Sequence, residues 1–243
     1  MWGKPVAAVR EGRRIVPQVI ITDLTEMSTG NYCVAGWDWE NQRMVRLLTR
    51  YGGNWTNQYV GQTGLWHRRL VRFQPVAMPH GGSFPHATED TRIDETSMQV
   101  FPRPDHWRTT ILQSESPNID AVFGGLLSQG IPLQIRKSPY LPSIAQCASL
   151  GAVRAEAADF RFYDDDYDPN KIKLRCRFVK AGSHFDLPVS SYRLRMRWRQ
   201  IGVDQMNIKQ GEFGQVHVRI GVARPFNNGC YLMLNGLYRA QDH

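Results

Sequence analysis

The sequence predicts a mainly β protein built from two small β-barrels or sandwiches in tandem, with one or two short helices. Many short segments alternate between apolar and polar residues, as half-buried strands do. Turn-forming residues recur at a spacing of about 8–12 residues, which is typical of sandwiches and barrels. Few segments have helical periodicity. A chain of 243 residues can bury a proper core in either arrangement.

The clearest predicted element is a β-hairpin over residues 31–49, NYCVAGWDWENQRMVRLLT. Two apolar runs flank a short polar break, which is the pattern of two strands joined by a turn. Trp37 and Trp39 lie on the first strand, where they either fill the core or stack on a ligand. Arg43 and Arg46 lie on the return strand, so the hairpin combines aromatic side chains with positive charge.

Three prolines punctuate residues 131–144, and this segment is the best candidate for a connector between two units. We therefore predict a first barrel over residues 16–130 and a second over residues 145–243. A helix is expected within residues 116–130, with Asn118 as its N-cap and Gly130 as its end.

Two segments of the second half carry regularly spaced basic residues. Residues 171–180, KIKLRCRFVK, alternate strictly and predict a half-buried strand with Lys173, Arg175 and Arg177 on its outer face. Residues 192–199, YRLRMRWR, fit two structures: a strand with all four arginines on one face, or a helix capped by a preceding serine. These arginines are Arg193, Arg195, Arg197 and Arg199.

The net charge of +8 suggests an anionic partner, although a solvated basic surface explains it equally well. The basic residues are 24 arginines and only 6 lysines. Guanidinium groups bind phosphate through two parallel hydrogen bonds and stack on bases, whereas an ammonium group is a point charge. The excess positive charge lies mainly in residues 121–243, with 17 basic and 10 acidic side chains.

The four cysteines are widely spaced and include no CxxC pair, so a zinc ribbon or a redox motif is not expected. Free thiols in apolar runs fit the reducing cytoplasm. The N-terminal segment lacks the continuous apolar stretch of a signal peptide. No apolar run approaches the ~18 residues of a membrane span, so we expect no membrane association.

A turn-rich loop between the predicted strands carries the residues that come closest to a catalytic or metal-binding set. They are His80, His86, Glu89 and Asp90. Imidazole and carboxylate groups act as acids, bases and metal ligands, but this spacing matches no known ligand pattern. A purely structural turn is the simpler interpretation. The aspartates at 164–168 lack the glycine and glutamate of a calcium loop, so no metal or other cofactor is expected.

No known catalytic signature occurs in the sequence. The nucleophile elbow GxSxG, the phosphate loop GxxxxGK[ST], the zinc motif HExxH and the dinucleotide motif GxGxxG are all absent. The sequence therefore gives no positive reason to assign an enzyme.

Four stretches taken together resemble the bacterial dual OB-domain family. They are ITDLTEM–GNYCVAGWDWENQRMVRLL, PHATEDTRI, LRCRFVKAGSHFDLPVSSYRLR and VRIGVARPF–CYLMLNGLY. The family's His-Pro-Glu-Asp-like loop has no proline after His86 in this chain, and the aspartate of the family's DLPVTD-like segment is missing. The resemblance implies two tandem OB-like barrels, recognition of nucleic acid or a nucleotide, and association with prokaryotic conflict or defence systems.

The preferred hypothesis is a non-catalytic module that binds nucleic acid or a nucleotide, with a single strand favoured, and that serves as a sensor or adaptor for an effector protein. The alternative is a regulatory or scaffold subunit that binds an acidic partner protein. A hydrolase that uses the histidine-containing loop is a third hypothesis. The candidate nucleic-acid-binding residues are Trp39, Arg43, Arg46, Lys173, Arg175, Arg177, Arg193, Arg195, Arg197 and Arg199.

Overall fold

The computed structural model describes residues 16–27, 30–77, 84–128, 139–168, 170–180, 183–226 and 229–239. This part of the chain forms three β-sheets and four α-helices. The fold is mainly β, as the alternating segments predict.

The first eight strands form one curled sheet with the order β6-β7-β3-β2-β1-β5-β8, and β4 pairs with β2. Neighbouring strands are antiparallel except β3 and β7, which are parallel. The strands are β1 (Gln18–Glu26), β2 (Asn31–Asp38), β3 (Arg43–Leu48), β4 (Trp55–Thr56), β5 (Leu70–Arg72), β6 (Pro75–Val76), β7 (Asp90–Ile93) and β8 (Gln99–Phe101).

The hairpin predicted over residues 31–49 is confirmed as β2 and β3, joined by a four-residue turn. Asp38 stabilises this turn because its Oδ1 accepts hydrogen bonds from the amides of Glu40 and Asn41, both at 3.2 Å. The hairpin is buried on both faces. One face packs in the core of the first sheet, and Trp37 on the other face packs against Leu150 from the second half of the chain.

The remaining strands form two further sheets around a second core. Five strands have the order β10-β16-β15-β11-β9, and three have the order β12-β13-β14. The strands are β9 (Glu115–Ser116), β10 (Tyr140–Pro142), β11 (Leu150–Glu156), β12 (Phe160–Asp165), β13 (Lys173–Lys180), β14 (Ser183–Pro188), β15 (Gln215–Val222) and β16 (Gly229–Arg239).

Three of the α-helices are short and one is long. They are α1 (Asn57–Thr63), α2 (Trp107–Gln113), α3 (Ile119–Val122) and α4 (Tyr192–Gly211). Asn118 caps the predicted helix α3 by accepting a hydrogen bond from the amide of Ala121 at 2.8 Å. The helix ends at Val122 rather than near Gly130, because Gly124 and Gly125 have positive φ angles. Glycine at position 202 breaks α4, since its φ of 70° and ψ of 170° are open only to glycine.

The division into residues 16–130, 131–144 and 145–243 stays a prediction, and residues 131–138 of the connector lie outside the described part. The two halves are joined by main-chain pairing, because β9 lies beside β11 as a parallel strand. The first sheet also contacts the second half directly, through Trp37 on Leu150.

A buried ion pair links the two halves at the centre of this contact. Asp23 on β1 and Arg219 on β15 are 1% and 0% exposed. Nη2 of the arginine lies 2.7 Å from Oδ2 of the aspartate, and its Nη1 donates to Ser114 at 3.2 Å. Thr22 donates a further hydrogen bond to the carboxylate at 2.7 Å. Both charges are thereby satisfied, which a buried pair requires.

The position of Asp23 depends on a bulge in β1. Ile21 pairs with Gly36 and Asp23 pairs with Ala35, so Thr22 has no partner on β2. The carbonyl oxygen of Thr22 instead accepts a hydrogen bond from the hydroxyl of Tyr238 on β16, at 2.7 Å. A bulge reorients the residues that follow it, and here the residue that follows is the aspartate that reaches Arg219.

Replacing Arg219 with methionine should destabilise the protein by about 3–5 kcal/mol, because the carboxylate of Asp23 would stay buried without its counter-charge. The double variant Asp23→Leu, Arg219→Met should lose less stability than the two single variants added together. Urea unfolding measures these free energies. The control Arg154→Met breaks an exposed ion pair with Glu115 and should cost about 0–1 kcal/mol. A cost below ~1 kcal/mol for Arg219→Met would contradict a structural role for the pair.

Candidate nucleic-acid interface

The arginine-rich segment 192–199 is the first half of α4, so the helical interpretation is correct. β14 ends at Pro188, and Ser191 caps the helix by accepting a hydrogen bond from the amide of Leu194 at 3.5 Å. On a helix, residues four apart share a face. The four arginines therefore form two pairs with different surroundings.

Arg195 and Arg199 turn towards the first half of the chain and bind Glu26 at the end of β1. Arg199 donates to both carboxylate oxygens, at 2.9 and 3.1 Å. Arg195 donates to the carbonyl oxygen of Val189 at 2.9 Å, and its Nη1 lies 3.4 Å from the same glutamate. These two predicted binding residues hold the helix against the first sheet.

Arg193 and Arg197 line a cavity of about 290 Å³ on another side of the helix. We call it the arginine cavity, and the residues that line it are Ser191, Arg193, Leu194, Arg197, Met206, Gln210, Phe213, Leu237, Tyr238 and Arg239. Residues from both halves of α4 contribute, which the break at Gly202 permits. No carboxylate of the described residues lies in this lining.

Aromatic rings hold the three guanidinium groups of the arginine cavity. The Cζ atoms of Arg239 and Arg197 lie 3.8 and 5.6 Å from the centre of the Phe213 ring, and that of Arg193 lies 5.7 Å from the Tyr238 ring. Such cation–π contacts orient a guanidinium without neutralising its charge. Arg193 and Arg239 form no ion pair with any described carboxylate. Arg193 and Arg239 therefore give the cavity positive charge that no described carboxylate neutralises.

Gln210 adds an unsatisfied donor to the arginine cavity. Its side chain is 4% exposed, and its amide nitrogen is buried without a hydrogen-bond partner among the described residues. Leaving such a donor unpaired costs about 1–3 kcal/mol. An oxygen acceptor inside the cavity would remove that cost.

The predicted basic face of β13 is only partly available to a ligand. Lys173 and Arg177 are exposed, and Arg177 lies over the ring of Tyr163 at 4.9 Å. Arg175 is buried instead, with its Nε 2.8 Å from the carboxylate of Asp186. Alternation correctly places Leu174, Cys176 and Phe178 in the core, but Ile172 is 51% exposed because the strand begins only at Lys173. Nor does alternation reveal that one arginine is internal.

The candidate binding residues of the hairpin also differ in their exposure and in whether a carboxylate pairs with them. Arg43 is exposed, whereas Arg46 is 4% exposed and its Nη1 lies 2.7 Å from Oδ1 of Asp90. Trp37 is a core residue, and Trp39 is half-buried against the ring of His106 at 4.2 Å. Of these residues, Arg43 alone presents a free charge at the surface.

The histidine-containing loop forms part of the contact between the halves, and His80 lies outside the described residues. Glu89 accepts hydrogen bonds from the amide and hydroxyl of Ser149 at 2.7 and 2.8 Å. Asp90 binds Arg46 and also Arg224, at 3.1 Å. Burial raises the pKa of Glu89 despite these hydrogen bonds. Both carboxylates thus bind residues of the second half of the chain, a role that goes beyond the local turn expected from the sequence.

None of the three cavities described in this part of the chain is lined by both His86 and Glu89, although a hydrolase on this loop would require it. Nε2 of His86 lies 3.2 Å from the carbonyl oxygen of Val222 and donates to it. His86 and Glu89 line two different cavities. Within the described ranges, no group of three or more histidine, cysteine or acidic side chains is arranged to hold a metal ion.

Comparison with known families gives a match to the dual OB-containing domain over residues 19–237. The chain belongs to this family. The predicted fold class, two tandem OB-like barrels, is thereby confirmed. No protein of curated function matches the sequence. In the described part of this dual OB protein, no helix is both long enough and apolar enough to cross a membrane.

Two solved structures align with most of the dual OB chain. One is a murine DNA-binding protein bound to double-stranded DNA, with 7% identity, a TM-score of 0.34 and coverage of 93% of this chain and 96% of the other. The second is the tetrameric p202 HIN2, with 10% identity, a TM-score of 0.31 and coverage of 90% and 91%. At such TM-scores the two alignments carry no argument about fold or ligand.

Sequence reasoning does not identify three residues of the arginine cavity: Gln210, Phe213 and Arg239. Arg239 ends an apolar strand, and Phe213 follows the second half of α4, so neither belongs to a basic run. They join Arg193 only through the fold. No local pattern in the sequence indicates that these residues lie in one cavity.

Stability should fall as the pH drops from 6.5 towards 4, in part because of His86. Burial, assisted by Arg46 and Arg224, lowers the pKa of His86 from 6.5 to about 4. The unfolded chain thus takes up a proton in this range that the folded protein does not. Keeping the imidazole neutral therefore makes the free energy of unfolding up to about 3 kcal/mol higher above pH 6.5 than at low pH. This difference is lost as the pH approaches 4.

The variant His86→Gln tests this pH dependence, since glutamine does not titrate. The free energy of unfolding, measured by urea at several pH values from 7 to 4, should fall less steeply for this variant than for the wild type. The control His184→Gln changes an exposed histidine and should keep the wild-type slope. Equal slopes for His86→Gln and the wild type would contradict the assignment.

Proposed function

We propose that this dual OB protein is a non-catalytic module that binds nucleic acid or a nucleotide, and that the arginine cavity is its main phosphate-binding site. The main support for the proposal is the set of residues that lines the arginine cavity. Three guanidinium groups surround it, and no described carboxylate lines it. A positive site of this kind attracts an anion, and phosphate is one of the two anions whose geometry a guanidinium group matches with two hydrogen bonds.

The arrangement of the other arginines supports the choice of this cavity. Arg46, Arg175, Arg195 and Arg199 all form ion pairs with internal carboxylates. Arg193 and Arg239 rest on aromatic rings and keep their charge available. A guanidinium that already lies in a fixed orientation loses little entropy when it binds a phosphate.

Lys173, Arg177 and Arg43 provide further exposed charges through which a bound strand would make additional phosphate contacts. OB folds bind single strands through a positive groove and aromatic platforms. We therefore favour a single strand over a duplex. Exposed charges of this kind add affinity that decreases as the salt concentration rises and that does not depend on the base sequence.

We further infer a cytoplasmic module that acts beside an effector protein in a prokaryotic defence system. The support is the resemblance to the dual OB family and the four free cysteines, Cys33, Cys147, Cys176 and Cys230. Free thiols persist in a reducing compartment. The alternative, an acidic partner protein, would use the same positive charge.

Binding of a fluorescent single-stranded 12-mer at low salt tests the proposed site. Arg193→Ala and Arg239→Ala should each weaken binding about tenfold, the effect of losing one charge-assisted hydrogen bond. Each should also reduce the slope of log K against log salt concentration by about 0.7, since one phosphate contact is lost. Arg154→Ala removes an exposed charge that is paired with Glu115, and it should bind as the wild type does.

A matched variant on β13 separates the two basic surfaces. Lys173→Ala should weaken binding by less than Arg193→Ala does, because Lys173 is a single exposed contact. If Lys173→Ala abolished binding while both cavity variants bound normally, the site would lie on β13. Absence of salt-dependent binding to both single strands and duplexes would refute the proposed function.

A further inference from the structure

We infer that the arginine cavity is a pocket for a phosphate monoester, meaning the terminal phosphate of a strand or that of a free nucleotide. This inference rests on the proposed function and specifies what the cavity holds. It differs from binding along a continuous backbone, in which the phosphates are diesters. Three properties of the cavity lead to it: its charge, its occupied aromatic faces and its size.

The charge of the cavity matches a monoester. A monoester phosphate carries about −1.5 to −2 charges at pH 7, whereas each backbone diester carries one. Arg193 and Arg239 bring two positive charges that no described carboxylate pairs, and Gln210 brings a buried amide donor that has no described partner. The terminal oxygens of a monoester are strong acceptors, and they match a set that consists mainly of donors.

The aromatic rings of the cavity are already covered. Both Arg197 and Arg239 lie over Phe213, while Tyr238 has Arg193 on it and the ring of His67 stacked 4.5 Å away. A site that binds the interior of a strand needs free ring faces for its bases. This cavity has guanidinium groups where those bases would stack. It therefore favours a phosphate over a base.

The size of the cavity points the same way. A volume of about 290 Å³ lies at the lower limit of pockets that bind small organic ligands. Residues from α4, from the segment after it and from β16 line this space. A phosphate with its attached sugar fits such a volume, whereas several consecutive nucleotides do not.

Two matched pairs of ligands test the inference with the intact protein. The first pair is a single-stranded 12-mer with a 5′-phosphate and the same 12-mer with a 5′-hydroxyl. The second pair is adenosine 5′-monophosphate and adenosine. We expect the phosphorylated member of at least one pair to bind about tenfold more tightly or better, the effect of one added charge-assisted contact. If only the 5′-phosphorylated 12-mer is preferred over its partner, the ligand is the end of a strand. If adenosine 5′-monophosphate is preferred over adenosine, the ligand is a nucleotide.

The variant Gln210→Leu should remove most of this preference while keeping salt-dependent binding of the 5′-hydroxyl strand. Gln205→Leu, an exposed position on the same half of α4, should leave the preference unchanged. Thermal unfolding of both variants shows whether the fold is intact. If Gln210→Leu is unfolded, Arg239→Ala replaces it, with the same expected loss of preference.

Two negative outcomes are distinguishable. Equal, salt-dependent binding of the 5′-phosphate and 5′-hydroxyl strands, together with no preference for the monophosphate, would overturn the monoester pocket and leave the proposed function standing. If no oligonucleotide and no nucleotide binds, both the pocket and the proposed function are wrong.

Discussion

The buried ion pair between Asp23 and Arg219 is the constraint on which the rest of this structure depends. Each charge is removed from water, and each would be very costly to leave unpaired. The partners belong to different halves of the chain, 196 residues apart in sequence. Any sliding of one OB-like barrel against the other would separate them. The pair therefore fixes how β1 lies against β15 and β16.

The position of β1 in turn determines the orientation of α4. Glu26 is the last residue of the strand that carries Asp23, and it binds Arg195 and Arg199 from the helix. With these two side chains held on one side, Arg193 and Arg197 are left to line the arginine cavity. A structural ion pair at the centre of the molecule and a positive cavity at its edge are thus linked through one strand and one helix.

Local patterns in the sequence predict the parts of this fold that depend on neighbouring residues. Alternation identifies the hairpin at residues 31–49 and the buried face of β13 because side-chain direction has a period of two in a strand. The segment 192–199 is ambiguous since its arginines fit a strand face and two helical faces equally well. The cap at Ser191 decides between them, and its effect on the whole segment is visible only in the structure.

The candidate site could not be predicted to the same extent, because its residues are selected by long-range contacts. Nothing near Arg46 in the sequence shows that Asp90 neutralises it, and nothing near Arg193 shows that it has no such partner. Similar arginines therefore look equivalent in the sequence and differ in the fold. Arg239 and Gln210 are absent from the candidates drawn from basic runs because long-range contacts alone bring them into the cavity.

A crystal structure of the protein with a 5′-phosphorylated single-stranded oligonucleotide is the most direct test of this account. We expect the terminal phosphate to lie in the arginine cavity, within hydrogen-bond distance of Arg193 and Arg239, and the Asp23–Arg219 pair to be unchanged. A strand bound along Lys173 and Arg177, with its phosphate outside the cavity, would contradict it.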